Sequence, residues 1–237
     1  MFIAFVLLLA VLVAAVVVRF SPIGVRTRTL TGLTAWLGYA TAVGSLGPRL
    51  LPTGVPPLPM LLALPTLGLV MFCARSRFGG RLAGAIPAYV LMGLESFRIV
   101  VEFHLHELFL IGLVPRMLTY EGANFDVLIG LSAPFVAWLL ATKRLAPRGA
   151  IAWNLVGIVM VANVVVRSIL TTPGPTRLID TEIANQAVTL FPYTFIPGFL
   201  APLAVLLHVL AIRGLRSTQN HLVINGQPPL DQADLEE

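Results

Sequence analysis

The stretch AGAIPAYVLMGLESFRIVVEF, residues 83–103, is as long as a bilayer crossing and mostly apolar, yet it carries Glu95, Arg98 and Glu102. A hydrocarbon core about 30 Å thick takes about 20 residues of helix, so its reading decides between a soluble helical protein and a membrane bundle with charge inside it. The rest of the chain points to the membrane. Residues 2–19, 30–47, 57–74, 125–142, 150–170 and 191–212 are further apolar runs of similar length. The 237 residues are 57% hydrophobic and 11% charged, with a mean hydropathy of +0.88, whereas a soluble domain carries about 25% charged residues. We therefore expect an all-α integral membrane bundle of seven transmembrane helices. Residues 1–213 form the transmembrane domain, and the polar residues 214–237 are expected to be a flexible cytoplasmic tail.

Basic residues set the expected orientation. Arg19, Arg26 and Arg28 border the first connection, Arg49 the second, Arg75, Arg77 and Arg81 the third, Arg116 the fourth, and Lys143, Arg144 and Arg148 the fifth. The positive-inside rule then places the first, third and fifth connections and the C-terminus in the cytoplasm, and the N-terminus outside. The run 2–19 lacks a basic segment before it and carries Arg19 after it, which fits a retained span better than a cleaved leader. The net charge of +5 is explained by these topology signals, so no nucleic-acid partner is expected. The single cysteine, Cys73, excludes an intrachain disulfide.

Charge inside the fourth run needs shelter, because an unpaired charge in hydrocarbon costs about 2.5–3.5 kcal/mol even on the most lenient scale. At about 100° per residue, Glu95, Arg98, Glu102 and His106 fall in a stripe about 80° wide, while His104 and Glu107 point elsewhere. With the helix starting at residue 83, Glu95 and Arg98 lie near mid-bilayer, and Arg98 can reach both carboxylates along the helix. Residues 104–118 are then a candidate interfacial or re-entrant segment. Asn124 and Asp126 open the fifth run, and Asn163 and Arg167 lie one turn apart in the outer half of the sixth. We expect these residues to converge with Glu95, Arg98, Glu102 and His106 into one outward-facing polar pocket of balanced charge. The sixth connection, residues 171–192, is long enough to fold over its mouth.

The elements FR ending at Arg98 with VVE ending at Glu102, GLVP ending at Pro115, TYEGANFD ending at Asp126 with LIGLSAP, and NVVVRSIL ending at Leu170 with PGPTRL resemble uncharacterised bacterial polytopic membrane proteins. The resemblance covers roughly residues 90–212 and carries no assigned activity. It implies a multi-pass protein of the bacterial inner membrane.

Ionisable groups inside spans are a functional-site hypothesis by default. The first expectation is binding, with translocation as an extension, of a small polar solute, ion or lipid head group. The second is an intramembrane enzyme acting on a lipid or isoprenoid, with Glu102, His106 and Asp126 as acid/base groups. The third is a structural or assembly subunit of a larger membrane complex. Membrane lipid is the expected partner, with other membrane subunits under the third reading. No cofactor is expected. Glu102, His106 and Asp126 are the weak candidates for a metal, because Arg98 beside them would repel a cation. Haem is disfavoured because His208 lies toward the opposite leaflet from His104 and His106. At that depth His208 has Asn154 as a hydrogen-bonding partner. A retinal site fails because Lys143, the only lysine, is outside the spans. The last run carries Pro192, Pro197 and Pro202, which predict a kink or an unwound turn.

Overall fold

A computed structural model of the chain describes residues 1–50 and 58–224. Nine α-helices run through these residues, with no strand among them: α1 (Phe2–Phe20), α2 (Ile23–Leu50), α3 (Leu58–Arg75), α4 (Arg77–Ala85), α5 (Ala88–Leu94), α6 (Phe97–Leu110), α7 (Asp126–Ala141), α8 (Pro147–Thr171) and α9 (Ala201–Ile224). Their surface is the reverse of a soluble protein's. Leu7, Leu8 and Val11 of α1, Phe135 and Trp138 of α7 and Val159 of α8 are exposed, while Glu95, Arg98, Glu102 and His208 are buried. Lipid is the solvent that tolerates this arrangement.

Four segments are long and apolar enough to cross a bilayer: Phe2–Phe20, Leu58–Arg75, Pro147–Thr171 and Ile196–Thr218. A fifth is reached only if the bent pair formed by α4 and Ala88–Leu110 counts as one span. The expectation of seven is therefore met in part. The 28-residue α2 has the length but is diluted by threonine, glycine and arginine. The 16 residues of α7 rise about 24 Å, short of the hydrocarbon thickness. The proline-rich connection at 51–57 and the tail from 225 lie outside the described residues. The last helix continues past Arg213 to Ile224, with Leu215 buried.

The run 83–103 is not one helix. Pro87 has no N–H to donate and holds Ile86 extended, at φ −100° and ψ 122°. The chain turns by 89° there. α4 is capped by Ser76, whose Oγ accepts from the Gly79 N–H at 3.0 Å. It buries Gly79, Leu82 and Ala83 and exposes Arg77 and Arg81, an amphipathic segment lying across the end of the bundle. Arg213 of α9 donates to the carbonyls of Cys73 and Ser76, supplying donors that the end of α3 lacks. The helix after the bend thus begins at Ala88 and continues to Leu110, so residues 104–110 of the segment expected to be interfacial or re-entrant are helical. A turn follows, leading to a 3₁₀ segment at Arg116–Leu118.

α9 is the central post, packed on α3, α4, α5 and α8. Before it, Ile196–Leu200 forms a π turn, the unwinding that the prolines predict. Pro202 cannot donate to the carbonyl four residues back, that of Gly198, and the indole N–H of Trp36 on α2 donates to it instead at 2.6 Å. The same device recurs on α3, where Pro65 frees the Leu61 carbonyl and the Tyr39 hydroxyl donates to it. The least apolar long helix is therefore the one that completes the backbone of two proline-broken neighbours. Trp36→Phe should lower stability by about 1–3 kcal/mol, the cost of an unsatisfied buried carbonyl. Thermal unfolding in detergent reads this, and a wild-type melting curve would refute it.

Candidate functional site

The polar interior is organised by Arg98. At the junction of α5 and α6 the backbone tightens to bonds three residues apart, with Glu95 N–H donating to Met92 at 3.1 Å and Arg98 N–H to Glu95 at 3.1 Å. Such a turn stacks side chains three apart on one line. Glu95 Oε2 consequently stands 3.5 Å from Arg98 Nη1. The guanidinium clamps Asp126, the first residue of α7, in a bidentate pair: Nε donates to Oδ2 at 2.8 Å and Nη2 to Oδ1. α6 and α7 come close enough because Gly130 has no side chain; a Cβ there would lie 2.9 Å from Ile99 Cγ1.

The other side of the guanidinium meets α8 and α9. Arg98 Nη1 donates to His208 Nε2 at 3.0 Å, and Nη2 faces the Gly157 carbonyl at 3.5 Å. An arginine nitrogen can only donate, so Nε2 is the accepting nitrogen. Nδ1–H then donates to Asn154 Oδ1 at 2.9 Å, and Asn154 Nδ2 donates to the Ala150 carbonyl at 2.8 Å. Glu95 Oε1 lies 3.5 Å from His208 Nε2, and neither oxygen of this fully buried carboxyl makes a hydrogen bond with a described residue.

Glu102 lies one turn outward from Arg98. Its Oε1 accepts from Asn124 Nδ2 at 2.6 Å, and Asn124 Oδ1 accepts the Asp126 N–H at 2.9 Å, so one asparagine holds Glu102 and the start of α7 together. Asn124 Nδ2 also donates to the Leu118 carbonyl at 3.0 Å. Glu102 Oε2, in a residue only 2% exposed, makes no hydrogen bond with a described residue. Arg98, Glu102 and Asp126 line one cavity between α6, α7, α8 and α9, with about 400 Å³ of unfilled space, part of it open to the surroundings; its other walls are apolar, among them Val161, Val165, Leu200 and Ala204.

Several expected members lie elsewhere. Arg98 does not bridge Glu95 and Glu102; its second carboxylate is Asp126. Arg167 Nε donates to Asn163 Oδ1 at 2.8 Å, and Asn163 Nδ2 to the Ala123 carbonyl at 3.0 Å, so this pair anchors the loop before α7 instead of meeting the carboxylates. His106 packs at a tilt against Tyr120, with ring centroids 4.8 Å apart, and its Nε2 lies 3.7 Å from Glu121. It does not join Glu102, and no group of three His, Cys, Asp or Glu among the described residues could hold a metal ion. His104 packs edge-on to Phe2 and contacts Glu107 at 3.0 Å.

Asn154, Gly157 and His208 belong to the cluster although none was among the expected site residues. The start of the crossing helix explains the omission. Beginning at Ala88 rather than residue 83 moves Arg98 roughly 7 Å toward the other end of the bundle, to the level of His208. Pro87 was the available signal, since a helix seldom continues through a proline.

Residues 182–187 are tied down over the segment 113–118. Gln186 and Ala187 N–H both donate to the Leu113 carbonyl, at 3.0 and 3.2 Å. Asn185 Nδ2 donates to Ser168 Oγ at 2.8 Å, and Glu182 accepts the Arg116 N–H at 2.8 Å. Leu108, Val114, Leu118 and Ala187 form a small apolar core beneath these bonds.

A family model described as a domain of unknown function, DUF8737, matches residues 55–216, which contain every residue of this cluster. The chain belongs to that family. No curated protein and no solved structure matches it.

Proposed function

We propose that this member of the DUF8737 family binds a small polar solute, ion or lipid head group in the cavity lined by Arg98, Glu102 and Asp126, as a multi-pass protein of the bacterial inner membrane. The observation that carries the reading is a buried, partly open space walled by three charged side chains, one of which keeps an oxygen unpartnered. A dry packing network would close such a space. Translocation is the extension of the same reading, with the lid over residues 113–118 as its outer gate.

Seven crossings with the N-terminus outside remain part of the proposal. Arg28, Cys73 and Phe78 line one cleft, and Ala83, Pro147 and Gly214 line another, which supports a common end for the first, third and fifth connections and α9. That end carries most of the basic residues, as the cytoplasmic side does. The enzyme reading has less support, because His106 is not beside Glu102 and Asp126. Membrane lipid is the proposed partner.

Native mass spectrometry of protein released from native-lipid particles tests the pocket. A near-stoichiometric non-covalent adduct is expected in the wild type and should be lost in Ala204→Phe, which fills the cavity. Absence of an adduct, or its retention in Ala204→Phe, would overturn the reading.

A further inference from the structure

The polar cavity adjoins a second space across a shared wall. Leu105, Val164, Val165, Ile196 and Ala201 line both it and a cleft between α3 and α8 that holds about 800 Å³ of unfilled space, part of it open to the surroundings. Ala63 and Leu67 form the α3 wall of that cleft, and Asn185 and Ala187 lie at its lid end. A long apolar space and a short polar one thus lie side by side, separated only by these apolar side chains. That is the shape of an amphiphile rather than of a free ion or a compact solute.

The polar end also has a sign. Arg98 has five N–H bonds; Nε and Nη2 are directed at Asp126 and the Gly157 carbonyl, and Nη1 at His208 and Glu95. The one Nη1 N–H without a hydrogen bond faces the Glu95 carboxyl at 3.5 Å, a position that disfavours an anion. The unsatisfied atoms at the two ends are acceptors: Glu102 Oε2 in the polar cavity, and Oδ1 of the buried Asn185 at the lid end of the cleft. Two carboxyl groups, of Glu95 and Asp126, already face the one guanidinium, and Glu102 forms no ion pair with a basic side chain among the described residues.

Building on the binding role proposed above, we propose that the ligand is a cationic amphiphile, with an ammonium head on Glu102 Oε2 and a single apolar chain lying in the cleft between α3 and α8. The head supplies Glu102 with the donor and the positive partner it lacks, and the chain removes its own surface from competing sites in the bilayer.

The test uses full-length protein in phosphatidylcholine nanodiscs and three probes of equal chain length: dodecylamine, dodecanol and dodecanoate. Dodecylamine should raise the unfolding midpoint saturably, and dodecanol should need at least about tenfold more, a difference of about 1.4 kcal/mol. Dodecanoate should have no effect. Glu102→Gln should abolish the preference for the amine over the alcohol, and Val164→Trp, which blocks the shared wall, should abolish both responses. The comparison of amine with acid needs only wild-type protein, so it survives a variant that does not fold. A response to dodecanoate as strong as to dodecylamine, or an amine preference that persists in Glu102→Gln, overturns the proposal. Equal binding of amine and alcohol, both blocked by Val164→Trp, overturns the cationic head and leaves the binding role standing. No response to any probe, with the native adduct still present in the wild type, overturns the amphiphile and likewise leaves the pocket.

Discussion

Arg98→Met should destabilise the protein by about 3–5 kcal/mol, the range found when one partner of a buried ion pair is removed. The side chain is 1% exposed and joins three elements: Asp126 of α7 by a bidentate pair, Glu95 on its own helix, and His208 of α9. Methionine fills much of the same volume and strands the carboxylates away from water. The double variant Arg98→Met/Asp126→Asn removes the pair as a unit and should recover part of the loss, because the uncompensated charge is then gone. Thermal or denaturant unfolding in a fixed detergent reads these proteins together with the single variant Asp126→Asn. Wild-type stability in Arg98→Met, or losses that simply add, would mean that the two groups are not coupled in the folded protein.

That coupling is the part of the site that elementary energetics makes readable from sequence. An arginine three after one glutamate and four before another, inside an apolar run, cannot face lipid, and an aspartate opening another apolar helix is a plausible counter-charge. Likewise, Asn154 and His208 at matching depths on adjacent helices have little to bond except each other. The failures share one cause: each depended on where a helix begins or which way it turns. Pro87 moved the start of the helix to Ala88, which brought Arg98 level with His208, and His106 turns to Tyr120 instead of Glu102. Asn163 and Arg167 have the composition of site residues, but their rotation on α8 gives them to the Ala123 carbonyl and to each other. Trp36 and Tyr39 were illegible for a different reason. Their partners are backbone carbonyls freed by prolines far away in the chain, and nothing local to α2 announces them.

Gly157→Val should be the most damaging change that alters no charge. A Cβ at this position would collide with the imidazole of His208, and valine adds two further carbons in the same direction. The ring cannot swing aside freely, since Nε2 is held by Arg98 and Nδ1 by Asn154. Either α8 moves off α9, which opens the best-buried helix of the bundle, or the ring gives up both bonds and leaves Arg98 with fewer partners. Overpacking alone costs about 1–3 kcal/mol, and losing a hydrogen bond to a charged group adds about 1.5–3 kcal/mol, so the sum should exceed the effect of any single surface substitution. Gly157→Ala should show the same effect at reduced size. His208→Ala supplies the control: it is destabilising itself, but it removes the obstacle, so adding Gly157→Ala to it should cost little more. A strongly favourable coupling in that double-mutant cycle locates the clash at the ring. Additive losses would place the constraint on Gly157 elsewhere, and the close approach of α8 to α9 would no longer be what fixes His208 against Arg98.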